Sequence, residues 1–282
     1  MIPRRWRLAL QWNRWKRQPP ASGLPRKFIL FSKQRSGSTW VIDLLNSHPE
    51  IVGFAELFLY DMWGQPPVGG DAGILAWNSF LARYVTGSGE PTRRERDRLY
   101  NQYLDESVFA SRQASKAIGF KLMYNQAVSD LAIPKYLQQN SVSCVHLIRR
   151  NHLDAVLSAE AVRLRGLAHA ETNAPVRQVT IHLEPESIEL RLQRRDREIA
   201  AASEYADFLG LPVIELVYEE LSADITRIIP VLEFLGVDSS AVDLTSRLRK
   251  LNSKSHRELI SNYDDIARAL HGSRFAHMLR DE

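Results

Sequence analysis

The segment Lys33–Trp40 (KQRSGSTW) has the composition of a loop that binds phosphate. It lies between an apolar run of strand length, Lys27–Lys33, and a helical pattern, Thr39–Asn46. A glycine in such a turn lets neighbouring backbone N–H groups point at one spot, and the helix N-terminus adds about half a positive charge. The candidate phosphate ligands are Arg35, Ser36, Gly37, Ser38, Thr39 and Trp40.

Two other interpretations of this loop have to be weighed. A Walker A loop has the pattern G-x-x-x-x-G-K-[ST], and the segment lacks both the first glycine and the Gly-Lys pair. The segment is therefore not a Walker A loop. A plain strand-to-helix turn with a serine N-cap fits the same residues, and the loop by itself does not decide between that turn and a phosphate site.

A second candidate anion site follows a later strand. Arg149 and Arg150 come directly after the apolar run Ser141–Ile148, and Ser158 lies eight residues beyond Arg150 on the predicted helix His152–Arg165. The side chains of Arg150 and Ser158, together with the start of this helix, could clamp a second phosphate. Arginines at strand ends and serines on helices are common, so this motif alone does not indicate a phosphate site. Its occurrence together with the loop does.

Strands and helices alternate along the chain, which is the pattern of an α/β fold. The predicted strands are Lys27–Lys33, Ala117–Tyr124, Ser141–Ile148 and Pro212–Tyr218, with residues 50–58 as a short strand or extended loop. The predicted helices are Thr39–Asn46, Pro91–Glu106, His152–Arg165, Ser187–Leu209 and Ile225–Leu235. Because the strands are apolar rather than alternating, we expect a mainly parallel central sheet flanked by helices. Ligands bind outside the carboxyl ends of such strands, so segments 33–40, 124–126 and 149–158 should converge on one cleft.

Length and composition are those of an ordinary globular protein. The 282 residues are 44% hydrophobic and 25% charged, which argues against disorder. A single cysteine, Cys144, excludes a disulfide framework and a Cys-based zinc site, and it favours a reducing, cytoplasmic location. We expect a basic arm and linker at residues 1–26 and one domain at residues 27–282, with irregular insertions near 60–115 and 165–185.

The N-terminal arm is strongly basic. Residues 1–27 hold eight Lys and Arg residues and no acidic one; since the chain has a net charge of +4, residues 28–282 carry −4. Trp6, Trp12 and Trp15 lie among these cations, and the longest apolar run there has three residues, too few for a signal peptide. Peripheral contact with anionic membrane lipid is one interpretation, and a solvated tail is the other. The net negative charge of residues 28–282 disfavours nucleic-acid binding. The two irregular insertions are compatible with a homodimer.

Together these motifs resemble those of sulfotransferases that use 3′-phosphoadenosine 5′-phosphosulfate, PAPS. Arg35–Trp40 (RSGSTW) resembles their 5′-phosphosulfate loop, and Arg150–Ser158 (RNHLDAVLS) resembles their 3′-phosphate motif. Tyr218–Leu221 (YEEL) and Arg257–Tyr263 (RELISNY) are similar to two later segments of the family. The similarity is greatest to bacterial carbohydrate sulfotransferases, such as trehalose 2-sulfotransferase and the nodulation-factor enzymes. These enzymes have a glutamate shortly after an HP segment, which here reads Ser47–Glu56.

This resemblance implies a P-loop-kinase-like sulfotransferase fold and transfer of the sulfonate group of PAPS to a hydroxyl of a carbohydrate or glycolipid, without a metal. It implies that Glu56 is the general base, that Arg35 contacts the leaving phosphate and that Lys121 contacts the sulfonate or the acceptor. Glu50 and His48 are weaker candidates for the base. The more familiar cytosolic enzymes have a lysine where Arg35 stands and use a histidine base, so the chain departs from their pattern.

Other polar residues near the expected cleft have open roles. Tyr124, Asn125 and Gln126 follow a predicted strand and could contact the acceptor. Cys144 and His146 lie within a predicted strand and are expected in the core.

Two further functions compete with sulfonate transfer. A P-loop-like nucleotide kinase or NTPase would need a lysine after the loop glycine and a Mg²⁺-binding aspartate after a strand. A non-catalytic protein that binds membrane surfaces through the basic arm would not need the phosphate loop at all.

Overall fold

The computed structural model describes residues 24–58, 74, 76–84, 91–110, 115–166, 177–240, 244–248 and 255–280. Almost all of the expected arm at residues 1–26 and parts of the two expected insertions lie outside these residues. The division into an arm and one domain therefore stays a prediction.

Five parallel strands form the central sheet in the order β2-β3-β1-β4-β5. They are β1 (Arg26–Ser32), β2 (Ile51–Glu56), β3 (Ala117–Met123), β4 (Ser143–Ile148) and β5 (Val213–Val217). The α/β class and the parallel sheet predicted from the sequence are confirmed. Ser32 at the end of β1 pairs with Met123 on one side and with Leu147 on the other, so the carboxyl ends of the three central strands lie level at one edge.

Helices cover the sheet. The α-helices are α1 (Ser38–Asn46), α2 (Trp77–Tyr84), α3 (Arg93–Gln102), α4 (Tyr124–Ser129), α5 (Ala132–Gln139), α6 (His152–Arg165), α7 (Pro185–Phe208), α8 (Tyr218–Ala223), α9 (Ile229–Leu235), α10 (His256–Leu259) and α11 (Tyr263–Leu270). A π-helical turn, Tyr103–Val108, follows α3, and 3₁₀ turns occupy Ile225–Ile228 and Ala276–Leu279. The sequence patterns missed six short helices, α2, α4, α5, α8, α10 and α11, and they merged the first 3₁₀ turn with α9.

The sheet is buried on both faces, which explains its uniformly apolar strands. Along β1, Phe28 and Leu30 enter a core with α1, β5 and α9, whereas Ile29 and Phe31 enter an aromatic core on the opposite face. Side chains of a strand alternate between faces, so one short strand supplies both cores.

The described part of the first expected insertion, near residues 60–115, packs on a face of the sheet. There Trp77, Tyr100 and Tyr103 pack around Phe58, which in turn contacts Phe120 of β3. Aromatic rings bury a large apolar area each, so this widely spaced set completes a core without a visible periodic pattern.

A third apolar cluster joins the C-terminal residues to α6 and α7. Ile181 forms an isolated parallel bridge with Ile260, and Ile266 of α11 is fully buried. This packing brings residues 255–280 against the start of α6. Within the described residues, no helix is long and apolar enough to span a membrane.

Candidate active site at the carboxyl edge of the sheet

The loop between β1 and α1 has the backbone of a phosphate cradle. Gly37 has a φ of 85° and lies directly before α1, and a Cβ atom there would lie 2.3 Å from Cε2 of Tyr218. Glycine is therefore required both by conformation and by space. Arg35 also has a positive φ, 65°, which is uncommon for a residue other than glycine and is typical of functional loops.

Two arginines from outside the loop hold its backbone. Arg149 donates from Nη1 to the carbonyl oxygen of Arg35 at 3.3 Å, and Arg195 of α7 donates from Nη2 to the carbonyl oxygen of Gln34 at 3.2 Å. Both carbonyl groups are thereby turned toward cations. The first-turn N–H groups of α1 have no acceptor within the helix.

The buried Arg149 and Arg195 and the partly buried Arg35 lie together at this end of the sheet, and Arg149 is paired with Asp154 at 2.7 Å. Burial, and then the nearby charge of Arg149, lower the pKa of Arg35. The same two causes lower the pKa of Arg195 to about 10. Like charges held together in a buried place favour the binding of an anion, because the anion offsets both the repulsion and the lost hydration.

Several buried donors of this cluster have no hydrogen-bond acceptor among the described residues. They are the hydroxyl of Ser36, Nε of Arg149 and Nε of Arg195. Ser36 is only 1% exposed, so water does not readily replace the missing acceptor. An anion with several oxygen atoms would supply acceptors to donors of this kind.

Arg35 joins the two predicted phosphate motifs. Its Nε and Nη2 donate to the hydroxyl of Ser158 at 3.1 and 3.0 Å. Gln34 donates to Asn125 at 2.6 Å, which ties the segment after β3 to the same place. The expected convergence of segments 33–40, 124–126 and 149–158 is thus confirmed.

The side chain of Arg150 is directed toward α8 and not toward Ser158. Its Nη1 donates to Glu220 at 2.7 Å, and the side chain is 66% exposed. Glu219, the neighbouring residue of α8, accepts the backbone N–H groups of Arg150 and Asn151, each at 3.0 Å. Among the described contacts, Arg150 and Ser158 do not touch each other.

The segment that begins with Tyr218 contacts both motifs. The Tyr218 ring lies against Gly37 and beneath the guanidinium of Arg149, whose Cζ is 4.7 Å from the ring centroid. Trp40 meets the same ring edge-on at 5.8 Å. Tyr218–Leu221 thus contacts the loop through Tyr218 and the residues before α6 through Glu219.

A carboxylate and a lysine lie beside the loop. Nζ of Lys121 donates to the Thr39 hydroxyl at 2.8 Å and to Oε1 of Glu56 at 3.3 Å. Burial lowers the pKa of Lys121, and the charge of Glu56 opposes that effect. The two residues meet because the register of β2 against β3 shifts between Phe54 and Glu56, which pairs Glu56 with Lys121.

The two weaker candidates for the base lie elsewhere. Glu50 precedes β2, at the opposite edge of the sheet, where it pairs with Lys116 and accepts the N–H of Asp238 at 3.0 Å. The hydrogen bond from Lys116 holds the pKa of Glu50 below its usual range. His48 is buried and contacts the carbonyl oxygen of Asp238 at 2.7 Å, so it shapes the turn after α1.

The two residues expected in the core are there. Cys144 and His146 are fully buried in β4, and burial raises the pKa of the Cys144 thiol. His146 contacts the Tyr124 hydroxyl at 2.7 Å, and burial lowers its pKa to about 4.

Sequence analysis missed Arg195 and left Gln126 without a definite role. Arg195 is one of several arginines in α7, and only its burial distinguishes it from them. Gln126 was singled out by its place after β3, and its amide donates to Oε2 of Glu56 at 3.3 Å. Within the described residues, no group of His, Cys, Asp or Glu side chains could hold a metal ion.

No family model and no curated protein matches the chain. Similar solved structures include a sulfotransferase from Alicyclobacillus acidocaldarius, with 15% identity, a TM-score of 0.45 and coverage of 92% of this chain and 97% of the other. A mouse sulfotransferase, SULT7A1, in complex with PAP has 14% identity, a TM-score of 0.41 and coverage of 90% and 88%. The sulfotransferase domain of the Synechococcus PCC 7002 olefin synthase has 18% identity, a TM-score of 0.35 and coverage of 82% of each chain. With such identities, and with TM-scores below 0.5, these similarities carry no functional conclusion of their own.

Proposed function

We propose that the protein is a sulfotransferase that moves the sulfonate group of PAPS to a hydroxyl of a carbohydrate or glycolipid. The observation that carries this proposal is the place of Arg35. It belongs to the glycine loop, bonds Ser158 of the second phosphate motif, and lies in one buried cluster with Arg149 and Arg195. A site of this kind suits a ligand with anionic groups at two ends.

The donor side of the cleft suits the 5′-phosphosulfate of PAPS. The unsatisfied Ser36 hydroxyl, the first-turn amides at Gly37, Ser38 and Thr39, and the Arg35 guanidinium would bind its oxygen atoms. Trp40, whose ring packs on Tyr218, offers an aromatic surface to the adenine.

The 3′-phosphate of the donor would bind Arg150 and Ser158. For this, Arg150 has to leave Glu220, and both side chains of that ion pair are largely exposed. Surface ion pairs contribute little to stability, so the exchange of a carboxylate for a doubly charged phosphate is favourable.

The acceptor side would be formed by Glu56, Lys121 and the residues after β3. Glu56 takes the proton of the acceptor hydroxyl, and the hydroxyl oxygen forms a bond to sulfur. The bond between sulfur and the 5′-phosphate oxygen breaks, and its electron pair stays on that oxygen, which leaves adenosine 3′,5′-bisphosphate. Arg35 and the loop amides stabilise the charge that develops on the leaving phosphate, and Lys121 stabilises charge on the sulfonate oxygens.

A ligand titration tests the donor assignment. We expect adenosine 3′,5′-bisphosphate to bind without a divalent metal, and to bind more tightly than ATP with Mg²⁺. Calorimetry of the full chain with each ligand measures the difference. Tighter binding of ATP with Mg²⁺ would instead support the nucleotide kinase or NTPase, and binding of neither would support the non-catalytic membrane protein.

The same titration, repeated with a variant of Arg150, tests where the 3′-phosphate binds. Arg150→Ala should weaken binding of adenosine 3′,5′-bisphosphate about 10-fold or more, and binding of adenosine 5′-phosphate little, because one charge-assisted hydrogen bond is lost. Arg163→Ala is the matched control, since Arg163 is an exposed arginine on α6 that pairs with Glu160. Equal loss for both ligands would contradict the role of Arg150.

A further inference from the structure

Gln126 is a buried amide placed between the backbone of β3 and the candidate base. It is 4% exposed and lies in the first turn of α4, directly after β3. Its Oε1 accepts the N–H of Met123 at 2.9 Å, which fixes the amide and leaves Nε2 to donate to Oε2 of Glu56 at 3.3 Å. The side chain therefore has one orientation that satisfies both of its ends.

Glu56 is held at both carboxylate oxygens. Lys121 donates to Oε1 and Gln126 donates to Oε2, each at 3.3 Å. Both donors are buried and each has a second contact, Lys121 with Thr39 and Gln126 with Met123. The carboxylate is thus oriented from two sides, while 20% of the Glu56 side chain remains exposed to a substrate.

The two donors hold different oxygens of the same carboxylate. A tight ion pair between a lysine and a carboxylate has an N–O distance of roughly 2.7–2.9 Å, and the 3.3 Å contact of Lys121 with Glu56 is longer. Without the amide of Gln126, the carboxylate would be free to turn toward the buried cation. A carboxylate turned in this way would no longer keep one oxygen at each of the two donors, as the native arrangement does.

We infer that Gln126 is a positioning residue for the general base, which keeps the Glu56 carboxylate shared between two donors and directed at the acceptor hydroxyl. This inference rests on the proposed function. Proton abstraction requires the base within hydrogen-bond reach of the hydroxyl, and a misplacement of about 1 Å can reduce the rate about 100-fold.

Gln126→Met is the first test, because methionine has a similar length and donates no hydrogen bond. Turnover is measured as release of adenosine 3′,5′-bisphosphate from PAPS, with trehalose or water alone as the sulfonate acceptor. We expect kcat to fall 10- to 100-fold, with the KM for PAPS and the Kd of the bisphosphate within twofold of the native protein. Gln102→Met is the matched control, because Gln102 donates to Glu106 at 3.0 Å in an exposed contact, and this variant should leave all three constants unchanged.

Gln126→Glu is a second test that changes no volume. At low pH the new carboxyl group is protonated and donates to Glu56 as the amide does, and at higher pH the two carboxylates repel each other. The activity of this variant relative to the native protein should therefore fall as the pH rises. A residue that only fills space would give a ratio that does not depend on pH.

The outcomes separate this inference from the function on which it rests. Native kcat in Gln126→Met, in a protein that turns over PAPS, would overturn the positioning role and leave the sulfotransferase standing. A parallel loss of bisphosphate affinity would also overturn it, since the residue would then be merely structural. Absence of PAPS turnover in the native protein would remove the proposed function and this inference together.

Discussion

Glu56 and Glu50 show how strongly the place of a carboxylate in the sheet decides its role. The two residues lie at opposite ends of the short strand β2, and both face a lysine. Lys116 beside Glu50 is exposed, whereas Lys121 beside Glu56 is buried and also bound to the loop through Thr39. Of the two glutamates, only Glu56 is connected to the loop between β1 and α1, through Lys121 and Thr39.

The proposed base is tested by comparing these two glutamates. Glu56→Gln should reduce kcat by about 100-fold or more, which is the usual contribution of a general base, and leave bisphosphate binding within twofold. Glu50→Gln, at the other end of the strand, should leave kcat unchanged. The measurement is PAPS turnover together with calorimetry of the bisphosphate, and an active Glu56→Gln protein would remove Glu56 as the base.

At the scale of elements, helix α7 contributes a buried arginine that contacts the loop between β1 and α1. Arg195 projects from the middle of this helix to the carbonyl of Gln34, beside the buried Arg149 and the partly buried Arg35. Buried charges are costly unless they are paired, and Arg149 is paired with Asp154 at 2.7 Å, so Arg195 is the cation of this group whose burial should cost the fold most.

The variant Arg195→Met separates the effect of this arginine on stability from its effect on anion binding. Removal of one cation from the cluster should leave the melting temperature equal or higher, and it should weaken the bisphosphate and adenosine 5′-phosphate equally, by about 10-fold, because both share the 5′ end. Arg194→Met is the control, since the neighbouring Arg194 is exposed and pairs with Glu198. A lower melting temperature with unchanged affinity would contradict this role.

The histidine buried in β4 makes stability depend on pH. His146 has its pKa lowered to about 4 in the folded protein, against the ordinary 6.5, so the unfolded chain binds this proton more tightly. Its contribution is fully present above pH 6.5 and is lost as the pH falls toward 4, by on the order of 3 kcal/mol. Urea unfolding of His146→Gln should show a flatter pH dependence in this window, and the exposed His271→Gln should match the native protein. An unchanged dependence in His146→Gln would contradict the assignment.

At the scale of the whole molecule, charge is divided between the ends of the chain. The net charge of +4 combines a strongly basic N-terminal arm with a body of the opposite sign. Each cation near an anionic lipid surface contributes about 1 kcal/mol of attraction at low salt. We propose that the arm holds the enzyme at a membrane surface, close to a glycolipid acceptor.

Vesicle binding by the full chain tests this proposal. Vesicles with phosphatidylglycerol should bind the protein at low salt and release it as salt is added, whereas vesicles of phosphatidylcholine alone should bind little. Co-sedimentation measures both. Equal binding to the two kinds of vesicle, or none to either, would contradict an electrostatic membrane contact.

Local sequence patterns were sufficient to predict the strands, the longer helices and the two candidate phosphate motifs. The apolar runs and the glycine stops located four of the five strands and five of the eleven described α-helices to within a few residues, and they left β2 open between a strand and an extended loop. The strands were predictable because burial on both faces demands continuous apolar strands. The two phosphate motifs were visible because a turn that presents backbone amides needs small residues and a glycine at set places. The short helices after β3 were missed, since six to eight residues give too few turns for a periodic signal.

The sequence by itself thus determined the class of the fold and the edge of the sheet at which the candidate site residues converge. Only the tertiary structure decided which arginines of many are buried, that Arg35 bonds Ser158, and that Glu56 lies between Lys121 and Gln126. The physical reason is that backbone preferences and apolar burial act over a few neighbouring residues. A buried polar contact instead depends on strand register, on a single bulge and on helices that arrive from distant parts of the chain.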